Sequence, residues 1–478
     1  MSKTLLFYDL ETSGINPKES RIMQFACQRT DLTLNKIGEP QNILVKLSND
    51  ILPDPQAIFV TGITPQQSVA DGITEAEFLK IFHNETALKD TIFVGFNSVR
   101  FDDEFIRYTN YRNFYDPYEW QWKDGRGKWD LLDVIRMTRA LRPNGINWPV
   151  ENGKPTNKLE SMTRENNILH VGAHDALSDV LALVHLAKLI RDKQSKLFDY
   201  LLDLMSSKYN ITKLVESNKP FVYTSGKYSS DYEKTTVVVK LVDHPKRQGA
   251  LVFDLRFNPN DYINLSVEEL VKAWRPKDKE APELPIKSMQ FNRCPAIAPL
   301  GVLDNESQKR ISLPLTTIQA NFNILQNIKT DFSIKVISAL KILDADQDLK
   351  YSNNEKSVDA KLYDGFFVEG DKSQMHKIRL ANPEDLNSSH VKFSDKRLMQ
   401  LLPLYKARNY PNKLSSEELD EWESYRKDYL LSGDIDSRMQ KFLNSIIELS
   451  KNDTLDSNKK YLLEELKLYA ESIFPSSE

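Results

Sequence analysis

The chain contains little cysteine. Its 478 residues include two cysteines, Cys27 and Cys294, which lie far apart in the sequence. Such a pair forms neither a disulfide framework nor a Cys-x-x-Cys motif, so the composition excludes a small disulfide-stabilised scaffold. We therefore expect both thiols to be reduced and to lie in hydrophobic cores.

Long apolar runs are also missing. No run is long enough to span a bilayer, which excludes a transmembrane helix. The first apolar stretch is short and is interrupted by Asp9, a pattern that does not predict a signal peptide. We expect a soluble globular protein of the cytoplasm. A chain of 478 residues is too long for one hydrophobic core, so we expect two or three domains.

The chain also lacks an excess of positive charge. Lysine and arginine number 64 and aspartate and glutamate 68, which gives a net charge of −4. Most nucleic-acid-binding domains are basic, so this total argues mildly against such a partner. A cleft can be locally positive while acids elsewhere lower the total, and net charge therefore excludes no partner here.

Two acidic residues, in contrast, lie at positions in a predicted strand that indicate a function. Asp9 and Glu11 lie in the apolar run 5–12, which predicts a β-strand. Side chains alternate along a strand, so these two carboxylates point to the same side. Two acids on one face of an apolar strand repel each other and lose hydration, and a bound divalent cation offsets both effects.

Further acids and a histidine complete the pattern. Asp102 follows the apolar run 91–96, and Asp179 lies in a predicted helix five residues after His174. Four acids and one histidine at strand ends and on a helix predict a two-metal hydrolase site, with two Mg²⁺ ions expected and Mn²⁺ as a substitute. We expect Asp9 to bridge the metals, Glu11 and Asp179 to complete one metal shell, and Asp102 to reach the second.

His174 is the predicted general base, because the unperturbed pKa of histidine, about 6.5, suits proton transfer at neutral pH. Each of these residues also has a structural interpretation. An isolated Asp102 or Asp179 would be a helix cap or a turn residue, and an isolated histidine near a helix start would be a capping or surface residue. Their occurrence together, in order, favours catalysis. We expect the neighbouring Asp103 to cap a helix and Asp175 to begin one.

Three segments that carry these residues, 9–12, 97–102 and 174–179, resemble the signature motifs of the DEDD 3′→5′ exonucleases. A histidine followed five residues later by aspartate is similar to the histidine subclass. Other segments resemble the bacterial exonuclease I family, whose members degrade single-stranded DNA: residues 111–117, 129–133, 141–149, 292–295 and 406–411.

The resemblance implies an α/β ribonuclease H-like exonuclease domain over 1–193, a small SH3-like β-barrel domain with helical additions over 194–351, and an all-α C-terminal domain over 352–478. It also implies Mg²⁺-dependent, processive 3′→5′ hydrolysis of single-stranded DNA to nucleoside 5′-monophosphates, in DNA repair and recombination. Single-stranded DNA-binding protein is the implied partner, and we expect a monomer.

Patterning agrees with this organisation. Besides the first strand, strands are predicted at 21–28, 42–47, 92–94, 221–223, 235–242 and 250–255, and helices at 74–82, from near 103, 176–190, 267–274 and 318–328. Residues 196–207 predict a helical connector and 352–357 a linker. Capping boxes are predicted at Thr74 with Glu77 and at Ser415 with Glu418, and two amphipathic helices follow around 439–449 and 462–473.

Aromatic and basic residues crowd the segment 107–129, directly after Asp102. Single strands are bound by such a mixture, in which bases stack on rings and phosphates meet cations. Some of these rings are expected in the core. Lys158 stands where the exonuclease I pattern usually has arginine, and it keeps the charge but lacks the bidentate fork. The expected contacts with single-stranded DNA are Glu11, Arg107, Tyr118, Trp122, Arg136, Arg142 and Lys158.

Two other functions remain open at this point. An exoribonuclease or a proofreading exonuclease would use the same acids, because the sequence does not reveal whether a 2′-hydroxyl is excluded. A catalytically silent clamp for single strands is the other alternative. Loss of a metal ligand would favour the clamp, whereas all five positions are filled.

Overall fold

A computed structural model describes residues 3–170, 172, 174–206, 208–274, 284–352, 357–386 and 391–475. Its strands are β1 (Thr4–Thr12), β2 (Ile22–Thr30), β3 (Lys36–Leu44), β4 (Thr91–Gly95), β5 (Gly127–Asp130), β6 (Val150–Glu151), β7 (Lys154–Pro155), β8 (Phe221–Thr224), β9 (Thr235–Asp243), β10 (Gly249–Asp254), β11 (Ile286–Gln290) and β12 (Ala296–Pro299).

The helices before the middle of the chain are α1 (Pro55–Thr61), α2 (Pro65–Asp71), α3 (Glu75–Ile81), α4 (Asp102–Arg112), α5 (Leu131–Leu141), α6 (Leu159–Glu165), α7 (Ala176–Ser206) and α8 (Lys208–Glu216). Those after it are α9 (Asn260–Ile263), α10 (Val267–Trp274), α11 (Asn305–Arg310), α12 (Leu315–Ser352), α13 (Glu369–Leu380), α14 (Lys396–Asn409), α15 (Ser416–Leu431), α16 (Arg438–Ser450) and α17 (Ser457–Ser472). Among the described residues, no helix combines the length and the apolar character needed to cross a membrane.

The chain divides into two compact units. The first contains residues 1–127, 170–181 and 356–478, and the second contains 128–169 and 182–355. The domain bounds expected from the sequence follow chain order instead, and they stay predictions.

The sheet of the first unit is built around β1. This strand pairs with β2 in antiparallel fashion and with β4 in parallel, and β2 pairs with β3. Leu5 to Tyr8 are almost completely buried, as expected for a central strand covered on both faces. The register places Glu11 opposite Gln24 and shifts between Glu11 and Thr12, so β1 ends in an irregularity next to its second acid.

The C-terminal helices share hydrophobic cores with this sheet and its helices. One core joins residues near β2 and α1 to residues of α15, α16 and α17, among them Met23, Ile58, Phe442 and Leu466. Another joins Tyr108, Tyr111 and Phe114 to residues of α13 and α14. The all-α region therefore completes the core of the first unit.

The second unit contains an antiparallel sheet with the strand order β11-β10-β9-β8-β12. Its strands are buried along most of their length because helices cover them; Phe253 of β10 and Phe332 of α12 have ring centroids 6.2 Å apart. The chain thus has the predicted fold class, with an α/β domain, a small β domain with added helices and an all-α region.

Most predicted elements are confirmed, including both capping boxes and the helix over 267–274. Strand β3 was expected over 42–47, but it begins at Lys36 and ends at Leu44. The sequence pattern missed its first half because those residues are exposed and polar and show no apolar alternation. Helix α12 is longer than the predicted 318–328. The helical connector predicted at 196–207 is the part of α7 that follows a break at Gln194. Ser207 and residues 353–356 of the predicted linker lie outside the described residues. Both cysteines are buried and neither forms a disulfide, as expected.

Candidate active site

Three carboxylates meet in the first unit. Asp9, Glu11 and Asp179 each offer an oxygen atom, and these atoms all lie within 4.8 Å of one another. Asp9 and Glu11 are on β1, and Asp179 is in the first turn of α7. The sequence prediction that these three acids form one cluster is supported by this geometry.

Gln24 connects the two elements that carry these acids. It lies opposite Glu11 on β2, and its side-chain Nε2 donates to Asp175 Oδ2 at 3.0 Å. Its Oε1 accepts a hydrogen bond from the backbone N–H of Ala176 at 3.2 Å. Asp175 Oδ1 in turn accepts from the N–H of Ser178, so Asp175 begins α7 as expected. No sequence signal pointed to Gln24, because its role depends on strand register.

The carboxylates are in an environment that opposes their ionisation. Burial, together with the charge of Asp179, raises the pKa of Asp9 well above its ordinary value. Burial, then the charges of Asp9 and Asp179, raises the pKa of Glu11 to about 9. A divalent cation would remove this repulsion. The donor set consists of carboxylate oxygens, which are the ligands that Mg²⁺ prefers, so these residues fit such an ion.

Asp102 is buried at the first residue of α4 and does not belong to the group of three mutually close acids. The expectation that Asp103 caps this helix is wrong. Asp103 lies inside α4, is fully buried, and accepts a hydrogen bond from the Tyr8 hydroxyl at 2.6 Å. Burial, followed by the charges of Asp103 and Asp102, raises the pKa of Tyr8 well above its ordinary value. The phenol therefore stays protonated and joins α4 to β1.

Two histidines flank the turn before α7, and they are placed differently. His174 is exposed and has a positive φ of 68°. His170, whose side chain is 5% exposed, makes a hydrogen-bonding contact between its Nε2 and Asp179 Oδ1. The sequence pattern singled out His174 through its spacing. It missed His170 because no helical or strand period relates residue 170 to Asp179.

The aromatic and basic segment of the first unit separates into core and surface residues. Tyr111 and Trp120 are fully buried, whereas Trp122 is 59% exposed and Tyr118 is half-buried. The Arg107 guanidinium lies 5.7 Å from the centroid of the Tyr118 ring. It also donates to Glu104 at 2.6 Å and to Gln121 at 2.8 Å.

Two aromatic residues from the C-terminal region extend this surface. Phe366 is 86% exposed, and its ring centroid lies 5.8 Å from that of Tyr118. Tyr363 is 53% exposed, and its hydroxyl donates to Glu104. Neither was predicted as a contact, because both lie far along the chain from the segment 107–129.

The remaining predicted contacts are in the second unit. Arg136 pairs with Asp133 at 2.7 Å. Arg142 is engaged with Asp304 at 3.2 Å and with the Val302 carbonyl at 2.8 Å. Lys158 lies 3.2 Å from Glu151, and its side chain is 71% exposed. The strand-binding role of all three remains a prediction.

Three family models match the chain in order. A model described as Exonuclease matches residues 6–187, the Exonuclease I SH3-like domain matches 206–340, and the Exonuclease I C-terminal domain matches 356–473. Relatives match over nearly the whole length. Exodeoxyribonuclease I of Haemophilus influenzae is 36% identical, and the alignment covers 98% of both chains. Exodeoxyribonuclease I of Escherichia coli is also 36% identical, with 98% of both chains covered.

Solved structures are similar as well. The crystal structure of E. coli exonuclease I in complex with a dA16 oligonucleotide has a TM-score of 0.91 at 34% identity, covering 99% of this chain and 100% of that one. A structure of SSB/exonuclease I with the inhibitor CFAM has a TM-score of 0.88 at 35% identity, with 99% and 100% covered. A zinc-bound E. coli exonuclease I–single-stranded DNA complex has a TM-score of 0.90 at 34% identity and the same coverage.

Proposed function

The chain belongs to the exodeoxyribonuclease I family and is an exonuclease, and from that premise we propose that it degrades single-stranded DNA from the 3′ end in a Mg²⁺-dependent reaction that releases nucleoside 5′-monophosphates. The observation that carries the proposal is the cluster of Asp9, Glu11 and Asp179, whose oxygens lie within 4.8 Å of one another. Relatives solved with oligonucleotides support the choice of substrate.

Asp9, Glu11 and Asp179 would hold the cation, and Asp102 would contribute to a second one. When bound, Mg²⁺ supplies an activated water and stabilises charge on the phosphoryl oxygens. Gln24 lies on β2 opposite Glu11 of β1, and its side chain hydrogen-bonds to Asp175 and Ala176 at the start of α7. These bonds hold the three carboxylates in one group before the substrate arrives. The zinc-bound relative supports a divalent-metal site in this fold.

His174 is proposed to take a proton from the attacking water at a ring nitrogen. Imidazole suits this role because it exchanges protons near neutral pH. Its position on the turn that leads into α7 places it on the same segment as Asp179, and its exposure leaves the ring accessible to solvent and substrate. Catalytic contacts of this kind tighten when substrate binds.

The substrate strand is proposed to lie across the exposed ring of Trp122 and the half-buried ring of Tyr118, with Arg107 meeting a phosphate. Bases of single strands stack on such rings, whereas the rings cannot reach bases that are paired and stacked in a duplex. Glu11, Arg136, Arg142 and Lys158 remain proposed contacts. A strand held by several such contacts would dissociate slowly, which accounts for the expected processivity.

The cellular role follows from the substrate. A solved relative is a complex of SSB and exonuclease I, and we propose single-stranded DNA-binding protein as a partner of this chain also. DNA repair and recombination generate single strands with free 3′ ends, and we propose that the monomeric enzyme acts on them in the cytoplasm.

One assay tests the proposal. End-labelled single-stranded DNA, duplex DNA and RNA are each digested with and without Mg²⁺, and the products are separated by length and by chromatography. We expect nucleoside 5′-monophosphates from the 3′ end of single-stranded DNA, and only with Mg²⁺. Equal cleavage of RNA would replace the proposal by an exoribonuclease, and cleavage in a chelator would contradict the metal site.

A further inference from the structure

The loop that follows Glu11 is closed at its base. The backbone N–H of Ser13 donates to the Arg21 carbonyl at 2.9 Å, and the N–H of Arg21 donates to Ser13 Oγ at 2.9 Å. The Ser13 carbonyl accepts a third bond from the N–H of Asp54 at 2.7 Å. Ser13 lies two residues after Glu11, so these bonds determine the backbone course at the end of β1.

The Arg21 side chain turns inward and is only 3% exposed. Its Nη1 donates to the carbonyls of Glu19 and Ser20, both at 3.2 Å, and thereby holds the loop from inside. Its Nη2 donates to Asp359 Oδ2 at 2.8 Å, and Asp359 lies in the part of the chain that matches the exonuclease I C-terminal domain.

Asp359 is fixed in turn by Arg408. The Arg408 guanidinium donates to both carboxylate oxygens of Asp359, at 2.9 and 2.8 Å, and also to Asp50 Oδ2 at 3.0 and 2.7 Å. The side chains of Asp359, Arg408 and Asp50 are each at most 7% exposed. Arg408 belongs to the segment 406–411, which the proposed catalytic mechanism does not use.

The packing of the C-terminal helices against the rest of the first unit does not require these charges. Two hydrophobic cores already join the helices to the rest of the unit. A buried ion pair adds little stability compared with apolar side chains of the same shape, although removing one partner destabilises strongly. The bidentate pair with Arg408 gives the Asp359 carboxylate a defined orientation. Asp359 Oδ2 accepts from Arg21 Nη2, so the oriented carboxylate determines where the Arg21 side chain lies in the loop after Glu11.

We propose that Asp359 is a positioning residue for Glu11: through Arg21 and Ser13, the C-terminal domain holds the end of β1 so that the Glu11 carboxylate is placed for the catalytic cation. The inference rests on the proposed function, since Glu11 must be a metal ligand. It assigns the C-terminal domain a part in building the active site.

The test uses Asp359→Asn in the full-length chain. Asparagine keeps the shape but loses the charge that orients Arg21. We expect the dissociation constant for Mn²⁺, measured by calorimetry without DNA, to rise about 3- to 10-fold, less than the 10- to 100-fold typical of residues bonded directly to a ligand. Hydrogen exchange of the Ser13 amide should accelerate.

The matched control is Lys406→Met. Lys406 lies two residues before Arg408 and pairs with Glu418 at 2.7 Å, so its loss perturbs the same domain without a contact to the loop. It should lower the melting temperature and leave Mn²⁺ affinity and Ser13 exchange unchanged.

Wild-type Mn²⁺ affinity and Ser13 exchange in a less stable Asp359→Asn protein would overturn the proposal. Should Asp359→Asn fail to fold, Arg21→Lys takes its place. It keeps the charge and loses the planar guanidinium that donates to the Glu19 and Ser20 carbonyls and to Asp359 together, and unchanged Mn²⁺ affinity would again overturn the proposal. A wild-type protein that neither binds Mn²⁺ nor cuts DNA would reject the proposed function itself. Normal wild-type cleavage with an unchanged variant rejects only the positioning role.

Discussion

The first unit contains two groups of charged side chains that differ in the balance between positive and negative charge. The candidate metal site brings together three carboxylates, Asp9, Glu11 and Asp179. The second group contains equal numbers of cations and anions and is called the buried ion-pair network below; its members are Arg21, Arg112, Arg408, Asp50, Glu75 and Asp359.

The imbalance has measurable consequences. In the metal site, burial and neighbouring carboxylates raise the pKa values of Asp9 and Glu11. In the network, burial alone would raise the pKa of Asp359, but Arg408 and Arg21 outweigh it and hold that pKa well below its ordinary value. The charged form of an aspartate is thus stabilised in the network and opposed in the candidate metal site. The group that lacks its counter-charge is the one proposed to bind a divalent cation.

The largest expected effect comes from removing one ligand charge. Asp179→Asn, or Asp9→Asn, should abolish hydrolysis, because the catalytic cation loses a charged ligand. The melting temperature in a chelator should not fall, because the substitution relieves repulsion between carboxylates. Release of nucleotides from end-labelled single-stranded DNA measures the loss, with the exposed Asp453→Asn as control. Near wild-type turnover in a folded variant would contradict the two-metal site.

Substitution of His174 and of His170 should affect the candidate metal site in different ways. His174→Ala should lower turnover by roughly 10²- to 10⁴-fold, the usual contribution of a general base, and change strand affinity little. His170→Ala removes a contact to Asp179 instead, so it should weaken cation affinity. High Mg²⁺ concentrations should therefore restore turnover in His170→Ala and not in His174→Ala. The reverse pattern would exchange the two roles.

The ion-pair network is broken by Arg408→Met, which leaves Asp50 and Asp359 buried without their shared cation. We expect a loss of about 3–5 kcal/mol in the free energy of unfolding, measured with urea. Arg438→Met is the control, since Arg438 is 41% exposed and its pair with Glu19, at 3.3 Å, is worth less than about 1 kcal/mol. Equal losses in both variants would show that the network is no more than a surface pair.

The sequence predicted the metal site better than the network, for physical reasons. Asp9 and Glu11 are two residues apart on a strand, and the period of the strand places them together. Arg21 and Asp359 are 338 residues apart, and no local period relates them. Spacing alone singled out His174 as the general base, whereas only the structure shows His170 in contact with Asp179. Aromatic residues such as Trp120 and Trp122 differ in burial although composition treats them alike.

The two regions also predict opposite dependences on pH. Glu11, with a pKa raised from 4.5 to about 9, keeps a proton in the folded state that the unfolded chain releases. Stability of the metal-free protein should therefore fall as pH rises between those values. The lowered pKa of Asp359 has the other sign: its contribution is present above the ordinary pKa and is lost as pH falls towards the lowered value.

Urea midpoints in a chelator at pH 5 and pH 8 measure the first of these effects. The isosteric Glu11→Gln variant should lose less stability between the two values than the wild type. Added Mg²⁺ should reduce the wild-type loss, because the cation neutralises the ionised carboxylates. Identical pH dependence in wild type and variant would show that Glu11 does not titrate as the burial and the neighbouring charges imply.

The smallest expected effect concerns a residue outside both charged groups. Trp122 is 59% exposed, so its replacement should leave both the metal site and the network intact. If a base stacks on the ring, Trp122→Ala weakens binding of single-stranded DNA by roughly 1–3 kcal/mol, and Trp122→Phe retains part of it. Fluorescence anisotropy in a chelator measures the affinity at several salt concentrations. The salt dependence should stay the same, because the ring neutralises no phosphate.

Tyr461→Ala, which removes an aromatic side chain of α17 that is 54% exposed, is the matched control. A Trp122→Ala protein with wild-type affinity and a lower melting temperature would make Trp122 a packing residue and remove it from the proposed strand path.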